Sequence, residues 1–262
     1  MREPLPSSLF PCPLSLSIIT VSLNSAKTIG DTLASVASQT FPNIEHIIID
    51  GSSDDETMQV VDTFPHVAKK ISEKDAGIYF AMNKGIALAS GDIIGILNAD
   101  DIYADNEVLQ TVADAFLDPE IDAVYADLVF VDPQDTKKIV RRWKSRSHQP
   151  QDFYYGWMPP HPTFFLRKSI YEKYGLFDTR LRSAADYELM LRFLLRHQIR
   201  SVHIPQTFIH MRNGGKSTAS LKNRMIANAE DREAWRINGL NPHFFTLILK
   251  PVRKINQFFF NG

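Results

Sequence analysis

Hydrophobic residues fall into two kinds of block along the first part of the chain. Short, almost wholly apolar runs rich in β-branched residues are typical of buried parallel strands. They cover 16–23, 44–49 and 92–97, and a weaker strand is predicted at 67–72. Between them, apolar residues recur at helical spacing, which predicts amphipathic helices. These helices cover 28–39, 52–64, 77–89 and 106–117. Alternating strands and helices favour a parallel sheet with right-handed crossovers.

The pattern becomes less regular after residue 120. Strands are predicted at 123–131, 138–143, 200–204 and 207–210, with Pro205 separating the last two, and a helix is predicted at 184–197. Residues 163–167 are a short apolar stretch. We therefore predict an α/β fold with a mostly parallel central sheet flanked by helices. Its single domain covers 15–220, in a first half over 15–120 and a second half over 121–220. A Pro-rich lead (1–14) precedes it and a helical tail (221–262) follows it.

The amino-acid composition excludes several classes of protein. Of the 262 residues, 44% are hydrophobic and 23% are charged, and the formal net charge is −1. These values exclude a disordered polyanion and a generic basic nucleic-acid binder, so no nucleic-acid partner is expected. The single cysteine, Cys12, has no partner for an internal disulfide. Prolines interrupt any N-terminal apolar signal, and no run reaches the ~20 apolar residues of a membrane span, so we expect a cytoplasmic protein.

Polar and acidic residues follow each of the first four predicted strands. They are Asn24, the segment Asp50-Gly51-Ser52-Ser53-Asp54-Asp55, Asp75, and Asn98-Ala99-Asp100-Asp101. Ligands of open parallel sheets bind beyond the carboxyl ends of the strands. The alternative is that these residues form turns and helix caps. Adjacent carboxylates need a proton or a cation, and Mg²⁺ or Mn²⁺ can bridge them to phosphates, which predicts a nucleoside diphosphate ligand.

Six segments carry a resemblance to a known family. They are IITVSLN (18–24), IIIDGSSDDET (47–57), EKDAGIYFAMNKGIALASGD (73–92), ILNADD (96–101), HPTFFLRKSIYEKYGLFD (161–178) and AADYELMLRF (184–193). In this order and spacing, the chain resembles family 2 glycosyltransferases, and among them the colanic-acid-type and related bacterial surface polysaccharide transferases. The resemblance implies a glycosyltransferase A-type fold with a nucleotide-sugar half (15–120) and an acceptor half (121–220).

The resemblance implies a donor-binding role for eight residues: Asn24, Asp50, Ser52, Asp75, Lys84, Asp92, Asp100 and Asp101. Asp50 would bind the base or ribose, with help from the turn at Ser52, and Asp75 would contact the base. Lys84 either reaches phosphate or stays solvated. Asp92 would position the sugar or nucleoside.

Asp100 and Asp101 lie where the family has its Asp-X-Asp metal motif. By resemblance, Asp101 binds Mg²⁺ or Mn²⁺ and Asp100 meets the ribose or sugar. The chain departs from the strict motif because Asn98 stands at the first position.

The resemblance makes Asp186 the catalytic base, which removes a proton from the acceptor hydroxyl in an inverting displacement. The alternative is that Asp186 caps the helix at 184–197. His161 would lie beside the acceptor and the diphosphate, or else in the core. Segment 212–217 would close over the diphosphate, with Arg212 or Lys216 supplying charge, or form a solvated turn. Trp157 and neighbouring aromatics would form the acceptor mouth, or else pack internally.

The tail segment 243–260 carries apolar residues on a single helical face, namely Phe244, Ile248, Val252, Ile255 and Phe259. Basic residues lie beside this face, as in helices that bind a membrane interface. The alternative is packing on the protein's own core or on a partner subunit. Pro251 is predicted to start a second helical segment.

Together these features predict an inverting, metal-dependent glycosyltransferase that uses a UDP- or dTDP-sugar. The acceptor would be a glycan or lipid-linked hydroxyl in bacterial polysaccharide biosynthesis, with the enzyme cytoplasmic or peripheral on the inner membrane face. A sugar-phosphate nucleotidyltransferase is one alternative, but it would need a Gly-rich basic loop where Asn24-Ser25-Ala26-Lys27 stands. A catalytically silent nucleotide-binding scaffold is the other, and it predicts loss of Asp101 or Asp186, which are both present.

Overall fold

The structure is a computed structural model that describes residues 14–214 and 221–259. In the first half, the strands and helices are β1 (Leu16–Ser22), α1 (Ile29–Ala37), β2 (Ile44–Asp50), α2 (Thr57–Asp62), β3 (Val67–Ser72), α3 (Ile78–Leu88), β4 (Ile93–Ile96), β5 (Asp101–Tyr103) and α4 (Val108–Ala115). Further along the chain are β6 (Ala123–Val131), β7 (Ile139–Trp143), β8 (Phe165–Arg167), α5 (Lys168–Tyr174), α6 (Ala185–Met190), β9 (Ser201–Arg212), α7 (Leu221–Ile237) and α8 (Thr246–Phe259). Two 3-10 helices cover Pro150–Tyr155 and His161–Thr163, and a π-helix (Leu191–Arg196) continues α6.

The described strands form one sheet in the order β3-β2-β1-β4-β8-β6-β9-β5, with β7 beside β6. Strands β3, β2, β1 and β4 are parallel, as predicted. Beyond β4 the pairing is mixed, because β8 runs antiparallel to both β4 and β6, whereas β6 and β9 are parallel. The predicted α/β fold with a flanked central sheet is confirmed.

Each face of the sheet is covered by helices that present apolar stripes. On one face, Met82 and Ile86 of α3 pack with Ile19 and Ile47 of the sheet. On the other face, the buried residues of α4 pack with β4 and β6. Burying apolar surface on both faces is what allows β1, β2 and β4 to be largely hydrophobic, whereas the edge strand β3 carries two exposed lysines.

Two elements differ from the sequence prediction. Strand β5 was not predicted, because three residues are too short to show a pattern and its hydrogen bonds come from β9. Strand β9 is continuous through Pro205, where two strands were predicted. Its register with β6 shifts between Ala126 and Asp127, so that Ile204 and Thr207 face adjacent partners. The residues left over, including Pro205, form a bulge, which is where a strand tolerates proline.

The C-terminal tail is helical, as predicted, but Pro251 lies inside α8 and does not start a second segment. Contacts on both sides of Pro251 hold the helix to the rest of the protein. Lys250 Nζ lies 2.6 Å from Asp231 Oδ1, and Arg253 Nε donates to the Tyr155 carbonyl at 2.8 Å. No helix within 14–214 or 221–259 is long and apolar enough to cross a bilayer. The lead at 1–13 lies outside the described residues, and the domain boundaries stay a prediction.

Gly95 of β4 provides a test of the packing between β4 and β8. A Cβ atom at Gly95 would lie 2.4 Å from Cε1 of Phe165 and 3.2 Å from Cδ1 of Ile18. We expect Gly95→Val to lower the free energy of unfolding by about 1–3 kcal/mol through overpacking. Urea denaturation followed by circular dichroism measures this change. Gly30→Ala in α1 is the control, because its Cβ would meet Val60 at an ordinary 3.6 Å. Equal urea midpoints for Gly95→Val and wild type would contradict the close packing of Gly95 against Phe165.

Candidate functional site

The parallel strands bring most of the predicted donor residues to one edge of the sheet. In the strand register, Asp50 lies between Ser22 of β1 and Ser72 of β3. The segment after β4 runs beside β1, since the Ala99 N–H donates to the Val21 carbonyl at 3.3 Å. Neighbouring strands lie about 4.8 Å apart, so the loops that follow them form one continuous edge. This edge carries Asn24, Asp50, Asp75, Asp100 and Asp101.

Asp50 is buried, and protein groups use its hydrogen-bonding capacity. Its carboxylate accepts from Ser22 Oγ (2.9 Å), Ser72 Oγ (2.7 Å), Ser53 N (2.8 Å) and Ser53 Oγ. Burial opposes its charge, but these hydrogen bonds outweigh burial and lower the pKa of Asp50. Four accepted bonds fill a carboxylate. Asp50 therefore shapes the turn after β2, and its role toward a nucleotide stays a prediction.

Asn24 and Ser52 occupy loop positions with positive φ, at 52° and 66°. The Asn24 N–H donates to Ser53 Oγ at 2.8 Å, and Asn24 Oδ1 accepts from the Asp54 N–H at 3.0 Å. These bonds join the loops after β1 and β2 into one unit. Both Asn24 and Ser52 are exposed at this edge.

Lys84 forms ion pairs with two acidic side chains. Its Nζ lies 2.7 Å from Asp75 Oδ1 and 2.6 Å from Glu73 Oε1. The hydrogen bonds that Lys84 donates to Asp75 and then to Glu73 raise the pKa of Lys84. Lys84 is therefore not simply solvated, and its role toward phosphate stays a prediction. The other oxygen of Asp75, Oδ2, is buried and has no hydrogen-bond partner, so it can accept from a bound ligand.

Asp101 is the most perturbed carboxylate at this edge. It begins β5 and is fully buried, with Oδ2 accepting from Asn98 Nδ2 at 3.0 Å and Oδ1 without a partner. Burial, and next the charge of Asp100, raise the pKa of Asp101 to about 8, against the opposing effects of Asn98 and Arg212. A cation bound there would favour the ionised form in place of the proton.

The donor set at Asp100 and Asp101 fits a divalent cation. Carboxylate oxygens are the hard ligands that Mg²⁺ and Mn²⁺ take, and Asp101 Oδ1 is a buried oxygen that lacks a partner. Among the described residues, no group of three or more His, Cys, Asp or Glu is arranged to hold a metal ion. One or two carboxylates, completed by water and substrate phosphates, are a usual protein contribution to a Mg²⁺ site.

Arg212 holds the Asp100–Asp101 segment in place and does not form a lid. It is the buried last residue of β9, and its Nη1 donates to the Asp100 carbonyl at 2.9 Å while Nη2 pairs with the Asp31 carboxylate of α1. The predicted strand ended at His210, but pairing of Met211 with Asp101 carries β9 on to Arg212. The lid role of Arg212 is therefore wrong. Lys216 lies outside the described residues.

Asp92 lies away from this edge, which corrects its predicted donor role. It precedes β4, so it is at the amino end of that parallel strand, whereas the cluster is at the carboxyl ends. Its Oδ2 accepts from Ser15 N at 2.9 Å and from Ser15 Oγ at 2.7 Å. Asp92 thus fastens the start of β1 to the start of β4.

Asp186, His161 and Tyr79 form a second cluster. Asp186 Oδ1 accepts from the Tyr79 hydroxyl at 3.1 Å, and Oδ2 lies 3.2 Å from His161 Nδ1. The Asp186 and His161 side chains remain 19% and 33% exposed, so His161 is not a core histidine. Asp186 does not cap α6 either, because Ala184 is the capping residue. The structure thus brings Asp186 and His161 together, and their roles toward a substrate stay predictions.

Tyr79 is not among the site residues predicted from the sequence, although it joins the two halves of the molecule. It lies in the first turn of α3, four residues after Asp75, and stacks on Phe177 with ring centroids 5.4 Å apart. Burial and then the Asp186 charge raise the pKa of Tyr79, so it stays protonated and donates. Its position in the 73–92 motif was the available signal, but sequence alone does not show that α3 meets α6.

Trp157 is buried, so its predicted place at an acceptor mouth is wrong. Its ring stacks on His148 with centroids 4.5 Å apart and lies edge-on to Phe153 at 5.5 Å. Tyr155 is the exposed aromatic of this segment, and it contacts the tail through Phe245.

Comparison with known proteins places this geometry in a family. The sequence model described as Glycosyl transferase family 2 matches residues 17–175, which is more than half of the chain. A PGL/p-HBAD biosynthesis glycosyltransferase of Mycobacterium bovis is 30% identical over 183 residues, covering 67% of this chain and 68% of the relative. An uncharacterized glycosyltransferase of Mycobacterium tuberculosis is 31% identical over 191 residues, covering 69% of each chain.

Solved structures share the fold. S. aureus TarS (residues 1–349) in complex with UDP-GlcNAc aligns with a TM-score of 0.67 at 20% identity, over 86% of this chain and 65% of that 1–349 chain. The mannosyltransferase PcManGT from Pyrobaculum calidifontis, in complex with GDP-Man and Mn²⁺, aligns with a TM-score of 0.63 at 19% identity, over 89% of this chain and 67% of that chain. The family match, the relatives and the fold agree. The chain belongs to glycosyl transferase family 2 and is a glycosyltransferase of the A-type fold.

Proposed function

We propose that this enzyme is an inverting, metal-dependent transferase that moves a sugar from a UDP- or dTDP-sugar to a glycan or lipid-linked hydroxyl. Its place would be bacterial surface polysaccharide biosynthesis of the colanic-acid type. The observation that carries the proposal is the Asp186 carboxylate, which Tyr79 and His161 hold in a partly exposed position.

Asp186 suits the role of general base. The acceptor hydroxyl must lose its proton as its oxygen attacks the anomeric carbon, and a positioned carboxylate can take that proton. Tyr79 and His161 each engage one oxygen of Asp186, and each oxygen keeps a further lone pair for the incoming proton. A single displacement without a covalent intermediate inverts the anomeric configuration.

The donor would bind along the edge formed by the loops after β1 to β4. Asp101 Oδ1, with Asp100 beside it, would hold Mg²⁺ or Mn²⁺, and when bound the metal neutralises the diphosphate leaving group. The unpartnered Asp75 Oδ2 can accept the N3–H of a uracil or thymine base. The donors in the related structures, UDP-GlcNAc and GDP-Man with Mn²⁺, support a metal-assisted nucleotide sugar site.

The tail supports a membrane-facing position for the enzyme. Phe244 is 91% exposed and Ile248 is 62% exposed, so this part of the apolar face does not pack on the protein's own core. Lys250 instead faces the body of the protein through Asp231. The side chains of Val252, Ile255 and Phe259 lie outside the described residues. We propose that the Phe244–Ile248 face rests on the inner face of the cytoplasmic membrane near a lipid-linked acceptor.

Replacing Asp101 tests the donor site. We expect Asp101→Asn to weaken Mn²⁺-dependent binding of UDP or dTDP at least about 10-fold, because a neutral amide replaces an anionic metal ligand. Isothermal titration calorimetry with UDP, dTDP and GDP, with and without Mn²⁺, measures this effect. Asp92→Asn is the matched control and should bind as wild type does, since Asp92 lies at the opposite edge. If wild type binds none of the three nucleotides, the donor site is wrong.

Replacing Asp186 tests the proposed base. We expect Asp186→Asn to lower kcat by about 10²–10⁴-fold with little change in the donor KM, because general-base catalysis contributes on this order. Acceptor panels assayed by nucleotide release give the rates, and proton NMR of the glycoside gives the anomeric configuration. A retained configuration, or an unchanged kcat in the variant, would contradict the role of Asp186.

The tail is tested by the double variant Phe244→Ser/Ile248→Ser. We expect its co-sedimentation with anionic phosphatidylglycerol vesicles to fall several-fold, because membrane binding scales with buried apolar area. Leu117→Ser is the control, since Leu117 is 74% exposed on the α4 side of the molecule. Vesicle binding equal to that of wild type would contradict the proposal, and loss of a dimer in light scattering would instead assign this face to a partner subunit.

A further inference from the structure

The segment just before Asp186 is held by a side chain from the C-terminal tail. Glu230 of α7 accepts hydrogen bonds from three consecutive backbone N–H groups. The donors to Glu230 Oε2 are Arg182 (3.1 Å), Ser183 (2.7 Å) and Ala184 (3.1 Å). Arg182 N also lies 3.1 Å from Oε1. A carboxylate that accepts several backbone N–H bonds is a strong local constraint, because bonds to an ionised acceptor exceed neutral ones.

The residues just after Asp186 are also held by α7. Trp235 Nε1 donates to the Tyr187 hydroxyl at 3.0 Å, and both side chains are buried. Asn238 Nδ2 donates to Glu188 Oε1 at 3.1 Å. Asp186 is therefore flanked on both sides by residues that are bonded to α7.

Helix α7 is in turn anchored by α8. Lys250 of α8 pairs with Asp231 of α7, and the Lys250 ammonium lies 3.5 Å from the centre of the Tyr187 ring. The helix that carries Glu230 is therefore itself held in place, and Glu230 contacts the 182–184 backbone from it. The tail, which carries none of the predicted donor or base residues, contacts the chain next to the proposed base.

We infer that Glu230 is a positioning residue for the transfer reaction. By fixing the 182–184 backbone, it sets where α6 begins and so where the Asp186 carboxylate stands relative to Tyr79 and His161. The inference rests on the proposed function, in which Asp186 is the base. It assigns α7 to the catalytic apparatus, whereas the family match ends at residue 175.

The test compares Glu230→Ala, Glu230→Gln and Glu233→Ala in the full chain. Glutamine keeps a carbonyl oxygen that can accept the backbone N–H groups, whereas alanine removes the acceptor. Glu233 is the matched control because it lies on the same helix and pairs with Arg236. Transfer from UDP-GlcNAc, UDP-glucose and dTDP-glucose to the same acceptor panel as for Asp186→Asn is measured with Mn²⁺ by nucleotide release, below the melting temperature of every variant.

We expect Glu230→Ala to lower kcat about 10- to 100-fold, because small misplacements of a reacting group cost this much. Its donor KM should stay within about 2-fold of wild type, because the donor edge lies on β1 to β4. Glu230→Gln should recover kcat to within about 3-fold, and Glu233→Ala should match wild type. Rates are normalised to nucleotide-binding sites, so loss of folded protein does not count as loss of kcat. A normalised kcat for Glu230→Ala equal to wild type would overturn the inference.

Amide hydrogen exchange provides a readout that needs no substrate. The amides of residues 182–184 should exchange faster in Glu230→Ala, but not in Glu230→Gln or Glu233→Ala. Unchanged exchange in Glu230→Ala would overturn the inference on its own. Failure of the proposed function would look different: wild type would turn over no donor, or Asp186→Asn would equal wild type, and either result would remove the role assigned to Glu230 as well.

Discussion

The parallel pairing of β3, β2, β1 and β4 is the constraint on which the rest of the structure depends. Because these strands share a direction, the loops that follow them leave the sheet at one edge. The same pairing leaves β4 with a free side that antiparallel β8 fills, and β8 in turn joins β6 and β9 to the sheet. Strand β9 then reaches back to pair with β5 and closes on the donor edge. One sheet therefore carries both the donor loops and the support behind them.

Two buried carboxylates at that edge show how similar residues come to differ in chemistry. Asp50 is surrounded by hydroxyl and N–H donors, which stabilise its charge and lower its pKa. Asp101 receives one bond from Asn98 and keeps an oxygen without a partner, so burial raises its pKa. A buried carboxylate whose oxygens all accept hydrogen bonds has a structural role, whereas one with an unpartnered oxygen is a candidate ligand site. The sequence motif marks both residues, but only their hydrogen bonds distinguish them.

Local sequence patterns predict the structural features that depend on residues close together in the chain. The apolar runs of β1, β2 and β4 are buried on both faces of the sheet, so their pattern was clear, and the acidic segments after β2 and β4 lie where strand ends predicted them. Asp92 is misassigned because its role came from the resemblance alone, although the predicted strand at 92–97 already places Asp92 at the amino end of that strand. Trp157 was misassigned because an aromatic residue suits a core as well as a surface.

Contacts between residues that are far apart in the chain could not be predicted from the sequence. Tyr79 and Asp186 are 107 residues apart, and Glu230 is 46 residues from Ala184. Arg212 contacts Asp31 across 181 residues. No periodicity or spacing encodes such pairs. Each pair forms because two elements that are far apart in the sequence cross in the fold, and only the structure shows where they cross.

The hydrogen bonds of Glu230 also indicate which parts of the chain have to be kept together for the enzyme to work. The family model matches residues 17–175 and so ends before α6 begins. The proposed base lies beyond that limit, and the carboxylate that fastens its loop lies farther still, on α7. A boundary drawn at the end of that match would separate the parallel strands β1 to β4 from Asp186 and from the helix that holds the segment before it. A fragment ending at residue 175 would lack both, so the working limits of this chain are set by its hydrogen bonds and not by the extent of the match.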